Sequence, residues 1–427
     1  MTLILLLAGL VLLLLTGLPI YVVLMIFAGG LELANGGSLA SFPAVIVGEF
    51  AQYLLVAIPL FAFMAHVMIK SRIVDDLYDT AFVLTRHLPG GVGIATVMAC
   101  VVFAAISGSS VATALTIGAV AIPQMLKFGY TPRAAYGLVA AGGTLGILIP
   151  PSGPLLLYGV TADASIGQLF MAGVLPGLLL AGLFVAWTVV SSGLKSRGPR
   201  EPRASLREAL GAIRKSFWAM TLPVFVLGGM YAGIFTATEA AGTGALLALA
   251  IGAVVYRTLD LRAIWAAVQD ACRTTAMLFM ILAGASMLNH VLTKMRLPQE
   301  ILEIVARADL GAVGFILCVM ALVFVLGMFL EAISIILITT PVVAPVLHQL
   351  GVHPVWYGIL LVINLELAMI TPPVGLNLFT IKSITRAPLS EIIMGTLPYI
   401  AILMAGLGIL MIWPGIALWL PATMMGR

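Results

Sequence analysis

Apolar runs, most of them about the 20 residues that carry a helix across a bilayer, follow one another from Leu3 to Leu420 with short polar, glycine- or proline-bearing joints between them. Such a pattern predicts an all-α polytopic membrane protein. Several of the runs are interrupted, and the interruptions repeat. Adding 222 to Pro123, Gly129, Pro132, Leu138 and Leu145 gives Pro345, Gly351, Pro354, Leu360 and Leu367, and takes Pro150-Pro151 and Gly153 to Pro372-Pro373 and Gly375. Upstream, Val102-Phe103 matches Val323-Phe324 at an offset of 221, so the register shifts by one residue around Ser107-Gly108-Ser109-Ser110 and Phe329-Leu330-Glu331-Ala332. Each copy predicts a helical hairpin, 91–127 or 311–350, followed by a Pro-broken helix, 134–160 or 354–381. The first unit covers 1–192 and the second 216–427, joined by a linker at 193–215. Interrupted hydrophobic segments in matching positions of two halves point to a transporter's binding region.

Composition and charge then set the environment and orientation. Hydrophobic residues make up 62% of the 427 and charged residues 9%, with a mean hydropathy of +1.17. That leaves too little polar surface to cover a soluble globule. The net charge of +4 is concentrated in the linker, where Lys195, Arg197, Arg200, Arg203, Arg207, Arg214 and Lys215 outnumber Glu201 and Glu208. It therefore speaks for membrane topology rather than for nucleic acid, and the positive-inside bias makes the linker cytoplasmic. Counting spans outward from it, the first hairpin enters from the cytoplasm and the second from the opposite face. The two units are then expected to be inverted repeats about an axis in the membrane plane. Lys382 and Arg386 fall on the cytoplasmic side without having been used in the count. Ten or eleven crossings plus two re-entrant hairpins are expected, with 258–272 an amphipathic connector before a crossing at 273–293. The offset maps 3–34 onto 225–256 and favours two helices there. Leu3–Leu15 lacks a basic leader and a cleavage site and reads as retained helix.

Chemistry belongs where backbone is left unpaired at membrane depth. Pro150-Pro151 and Pro372-Pro373 each end a helix and free carbonyls and amides, which hydrocarbon tolerates only when they face protein or a ligand. Around the breaks stand Gly142-Gly143-Thr144, Ser152-Gly153, Asn364, Thr371, Gly375 and Asn377. Carbonyl and hydroxyl oxygens suit hard cations such as sodium, and half-helix N-termini suit anions. The hairpin bends add Ser107, Ser109, Ser110, Thr113 and Thr116 in one copy and Gly327, Glu331, Ser334 and Thr339-Thr340 in the other. Glu331, a carboxylate at membrane depth, reads either as a cation ligand or as a cap for the helix that follows. No Lys or Arg falls in either bend.

Other residues have plainer readings. Glu239 suits an N-terminal cap, His66 and His290 suit hydrogen-bonded helix packing, and Cys100, Cys272 and Cys318 stand apart without metal or disulfide spacing and read as small core residues. Asp75-Asp76-Leu77-Tyr78-Asp79 matches the DDxxD pattern of prenyl transfer, but no second acidic cluster faces it, and 70–86 suits an amphipathic surface helix. A channel lacks the required ring of charges or carbonyls. No Walker A sequence is present, so ATP is not expected to drive this chain. An ion-coupled anion symporter or antiporter of similar inverted-repeat design is the principal alternative to the reading that follows.

GIFTATEAAGTGALLAL (233–249), GGTLGILIPPSGPLLLYG (142–159), MFLEAISIILITTPVVAPV (328–346) and ITPPVGLNLF (370–379) resemble the large membrane subunit of the tripartite ATP-independent periplasmic (TRAP) transporters, along essentially the whole chain. The resemblance implies an elevator-type secondary transporter of the bacterial inner membrane, with a scaffold domain and a mobile transport domain, and not an enzyme. It implies sodium coupling without an organic cofactor, an organic-acid substrate, a small four-helix (Q-type) membrane subunit supplied separately, and a periplasmic (P-type) binding protein. Carried over by position, one sodium site takes Ser107, Ser109, Ser110, Gly146 and Pro150, and a second takes Gly327, Glu331, Thr371 and Pro372. Substrate is expected near Ser109, Ser110, Asn377 and Thr380, with Lys382 either reaching in or snorkelling at the interface.

Overall fold

A computed structural model describes residues 2–14, 16–71, 73–194 and 202–425, and within these every regular element is helical. Lys195, Arg197, Arg200 and Glu201 of the basic linker lie outside the described residues, as does Arg72. Among the described residues, eight helices are long and apolar enough to cross a membrane, and six shorter apolar helices accompany them. Large side chains such as Val224, Leu246, Val254 and Ile412 are about 70% exposed, as lipid-facing residues are and those of a water-soluble surface are not. The chain is a multi-pass membrane protein.

The elements recur with the sequence offset. The hairpin arms are Gly91–Ser107 with Ser110–Lys127, and Ala312–Gly327 with Ala332–Gln349. The helices before the double prolines begin at Pro132 and Pro354, each with proline in its first turn, where the missing amide costs nothing. Both Pro150-Pro151 and Pro372-Pro373 are cis, and helices resume at Gly153–Thr161 and Leu376–Thr385. The N-terminal stretch is two helices, Thr2–Leu14 and Ile20–Ala34, separated at Gly17–Pro19.

Two boundaries differ from the sequence-based expectation. The linker does not run to 215: Ser205 accepts a hydrogen bond from the Glu208 N–H at 3.2 Å and starts a helix, Leu206–Tyr231, that carries Arg207, Arg214 and Lys215. Likewise 258–272 is no separate connector. Asp260 caps a single helix, Leu261–Lys294, because no Gly or Pro interrupts the stretch before Gly284.

Packing joins the two halves of the chain. Leu261–Lys294 lies against Ile20–Ala34 and Ala57–Lys70, and the latter also packs on Ala237–Ala250. Pro132–Thr144 lies against Ser110–Lys127, Leu376–Thr385 and Leu389–Ile412, so helices of both copies share one core. Gly137 and Gly395 form a close crossing in that core; a Cβ on either would overlap the other helix's backbone. Small residues at such points let membrane helices approach within van der Waals contact of their main chains.

Candidate functional site

The first bend is built by its own hydroxyls. Gly108, at φ +60°, ends one arm and turns the chain; a side chain there would also meet the Pro151 carbonyl at 2.6 Å. Ser109 then caps the next arm, accepting from the Ala112 N–H at 3.4 Å. Thr113 Oγ1 donates to the Ser109 carbonyl at 2.8 Å and stands 3.0 Å from Ser107 Oγ. Gly146 presses on this bend from the first break: an added Cβ would strike the Ser109 carbonyl and stand 2.8 Å from Thr113 Oγ1. Bend and break are therefore one packed unit. In the second copy the Gly375 N–H donates to the Met328 carbonyl at 3.1 Å, and Gly327 abuts Ala368, joining bend to break in the same manner.

At the breaks the main chain is open. Among the described residues no backbone amide donates to the carbonyls of Leu148, Ile149 or Pro150, nor to those of Thr371, Pro372 or Pro373. Ser152 Oγ donates instead to the Ile147 carbonyl and caps the resumed helix. Thr371 Oγ1 donates to the Leu367 carbonyl at 2.6 Å. Glu331 occupies the N-cap position of Ala332–Gln349 yet makes no capping hydrogen bond. The alternative reading of Glu331 as a side-chain cap is thus not realised; the residue lines a cavity.

That cavity, of about 280 Å³, brings both bends together: Ser107 to Ser110 form one side, Glu331 and Ala332 another, and Ser152 closes it beside the first break. Its far wall is supplied by Phe61 and Met64 of Ala57–Lys70 and by Thr274 and Met277 of Leu261–Lys294. Ligand pockets usually run from ~300 to ~1,000 Å³, so this one suits a solute of few heavy atoms. Glu331 is the one charged residue lining it among the described residues. Of the expected substrate residues, Ser109 and Ser110 line the cavity, whereas Asn377, Thr380 and Lys382 do not. Thr380 Oγ1 donates within its own helix to Leu376, and Lys382 is exposed, its Nζ 5.8 Å from the Phe379 ring centre. Asn377, fully buried, donates through Nδ2 to Ser110 Oγ at 2.9 Å and to the Ala140 carbonyl at 3.0 Å, so it ties the helix after the second break to the first bend.

Several residues went unread or misread in the sequence. Thr274 lines the cavity and lies 3.3 Å from His66 Nε2; only its facing partner marks it out. Glu366 is fully buried with both carboxylate oxygens unpartnered, and the rule that singled out Glu331 applies to it equally. Glu239 completes a capping box with Thr236, as expected. His66 is hydrogen-bonded, but His290 Nε2 is buried without a partner and its ring meets Phe42 edge-on. Cys100 is buried, while Cys272 and Cys318 are exposed rather than core. In the DDxxD stretch, Tyr78 is buried and Asp79 exposed on the helix Ile73–Thr85, and the side chain of Asp75 lies outside the described residues.

A many-spanned helical protein with paired broken helices, and a largely apolar cavity into which the hydroxyl-bearing first bend and Glu331 of the second both reach, defines a membrane transport subunit. The comparisons make this particular. Residues 7–416 match the family model described as "Tripartite ATP-independent periplasmic transporter, DctM component", and the chain belongs to that family as its large permease subunit. It is 40% identical over 86% of both chains to the C4-dicarboxylate TRAP transporter large permease protein DctM of Pseudomonas aeruginosa. It is 34% identical over 86% of both to the ectoine permease TeaC of Halomonas elongata, and 31% identical over 97% of both to the sialic acid permease SiaM of Vibrio cholerae. The fold resembles the YdaH transporter of Alcanivorax borkumensis, with a TM-score of 0.66 and 16% identity over 90% of each chain. The relatives are transporter permeases, so the chain is not an enzyme and the prenyl-transfer reading falls.

Proposed function

We propose that this subunit imports a small organic acid across the bacterial inner membrane, driven by sodium, within a complex that includes a small four-helix membrane subunit and a periplasmic binding protein. The observation that carries the proposal is the meeting of both bends at one cavity beside the first break, with carbonyls at both breaks that lack backbone partners. Carbonyl and hydroxyl oxygens are the ligands sodium takes, and no cluster of His, Cys, Asp and Glu suited to another metal occurs among the described residues. One sodium would be held by the bend at Ser107, Ser109 and Ser110 with the carbonyls near Gly146 and Pro150. A second would be held by Gly327 and the carbonyls of Thr371 and Pro372, with Glu331 at the cavity edge.

The two units are read as inverted, and the mechanism as an elevator. Sodium would order the bends and complete the cavity, and the core built around Pro132–Thr144 would carry the load past Ala57–Lys70 and Leu261–Lys294. Support comes from the cavity walls, which are shared between those two groups of helices. With no Lys or Arg in the lining, a carboxylate would be met by Ser hydroxyls and by the amides at helix starts near Ser109 and Ser152. Curated relatives named for C4-dicarboxylates and sialic acid fit that class. Uptake into proteoliposomes, with the small subunit and candidate binding proteins added one at a time, tests the proposal. Sodium-dependent uptake requiring a binding protein is expected; uptake undiminished without sodium removes the coupling, and uptake without any binding protein favours the simple symporter.

A further inference from the structure

We propose that Glu366 is a proton-binding site carried through the transport cycle, so that this permease moves a proton as well as sodium. The inference rests on the transport reading above, but its first test does not. Glu366 lies in Pro354–Met369, a helix buried from Tyr357 to Met369. It has no exposed surface, and neither carboxylate oxygen has a hydrogen-bond partner. An ionised carboxylate in such a place costs several kcal/mol or more, and unpaired buried charges are relieved by neutralisation. A bound proton neutralises this one without further ligands.

The elements that pack most closely on Pro354–Met369 bring no counter-charge to Glu366. Ile166–Leu194 and the short turn Leu145–Ile147 carry no ionisable residue, and neither does Gly415–Met425. Ala312–Gly327 brings Cys318, Ala332–Gln349 brings Glu331 at its N-cap, lining the cavity between the bends, and His348 in its last turn, and Gly153–Thr161 brings Tyr158, which donates to the Pro354 carbonyl. Pro132–Thr144 and Leu389–Ile412 bring Arg133, Tyr136, Glu391 and Tyr399; all but Tyr136 line a separate cavity of about 530 Å³. Leu376–Thr385 brings Lys382, which lies over Phe379. On its own helix stands Tyr357, whose hydroxyl is likewise unpartnered. None of these pairs with Glu366.

Two further observations turn a buried acid into a carried one. The offset of 222 maps Thr144 onto Glu366, and Thr144 satisfies itself by donating to the Ala141 carbonyl at 2.8 Å. The first copy thus shows that the position is filled by a self-contained residue, and the second copy places an ionisable group there. Met369, three residues along and so about 4.5 Å by helical rise, lines the cavity between the bends. A proton has one turn of helix to cross between that cavity and Glu366.

The test uses the permease purified with its small subunit. Infrared spectra at neutral pH should show the carbonyl stretch of a protonated carboxylic acid that is lost in Glu366→Gln and in Glu366→Thr, the latter copying the first unit, and retained in Glu331→Gln. In proteoliposomes, the response of sodium-driven uptake to external pH should be lost in whichever of the two Glu366 variants transports. Spectra identical in wild type and both variants would overturn the proposal. So would a wild-type acid band that vanishes on adding sodium, which would make Glu366 a sodium ligand, or variants that keep the wild-type pH response. If uptake proves independent of sodium, the coupling reading fails while the infrared result still decides Glu366.

Discussion

Breaking the link between Asn377 and Ser110 should loosen the first bend by a predictable amount. Both residues are buried, Asn377 fully and Ser110 at 1% exposure. The amide donates to Ser110 Oγ and to the Ala140 carbonyl, and Ser110 Oγ stands 3.1 Å from the Asn377 carbonyl oxygen. A net hydrogen bond is worth ~1 kcal/mol, and stranding a buried partner adds ~1–3 kcal/mol. Asn377→Leu removes the pairing and strands the Ser110 hydroxyl, for a loss of about 3–4 kcal/mol; Ser110→Ala, which leaves the amide its Ala140 contact, loses about 2 kcal/mol. The double variant strands neither, so a double-mutant cycle should return a coupling of about 1.5–2 kcal/mol. Denaturant unfolding in detergent, read by intrinsic fluorescence, supplies the four stabilities. Losses that add to within ~0.5 kcal/mol would refute the linkage.

Other outcomes can be checked more briefly. Gly146→Ala puts a methyl against the Ser109 carbonyl and 2.8 Å from Thr113 Oγ1, and should raise the sodium concentration for half-maximal uptake at least ~10-fold, the equivalent of ~1.4 kcal/mol; an unchanged sodium titration would detach Gly146 from the site. Glu331→Gln should weaken sodium dependence in the same assay. Gly137→Ala, which drives a Cβ into the backbone at Gly395, should lower stability by ~1–3 kcal/mol, measurable as a fall in detergent unfolding midpoint. Glu239→Ala removes half a capping box and should lower the detergent unfolding midpoint with the sodium titration unaltered; collapse of uptake would assign Glu239 a partner contact.

Much of the architecture was legible because proline and glycine act locally. Pro150-Pro151 and Pro372-Pro373 cannot continue a helix wherever they sit, and hydrophobic length sets the spans, so hairpins and breaks could be placed from the sequence within a few residues. Boundaries that depend on capping were harder: Ser205 and Asp260 start helices earlier than charge and amphipathicity suggested. In the site, Ser109, Ser110 and Glu331 were readable because polar groups in apolar runs stand out. Asn377 also stood out, but its partner could not be known, since Ser110 lies 267 positions away. Thr274 was unreadable for a similar reason; only the packing of Leu261–Lys294 turns it toward the bends. Glu366, an acid inside an apolar run, carries the same signal in the sequence as Glu331.

The unbroken helix from Leu261 to Lys294 has 34 residues and so extends about 51 Å, against a hydrocarbon layer of ~30 Å. A rod that long has to lean or protrude, and its angle follows the thickness of the surrounding lipid. Thr274 and Met277 sit partway along it, so tilting the rod shifts one wall of the cavity between the bends. Turnover in vesicles of graded acyl-chain length would consequently vary with the membrane, making the lipid a silent participant in transport.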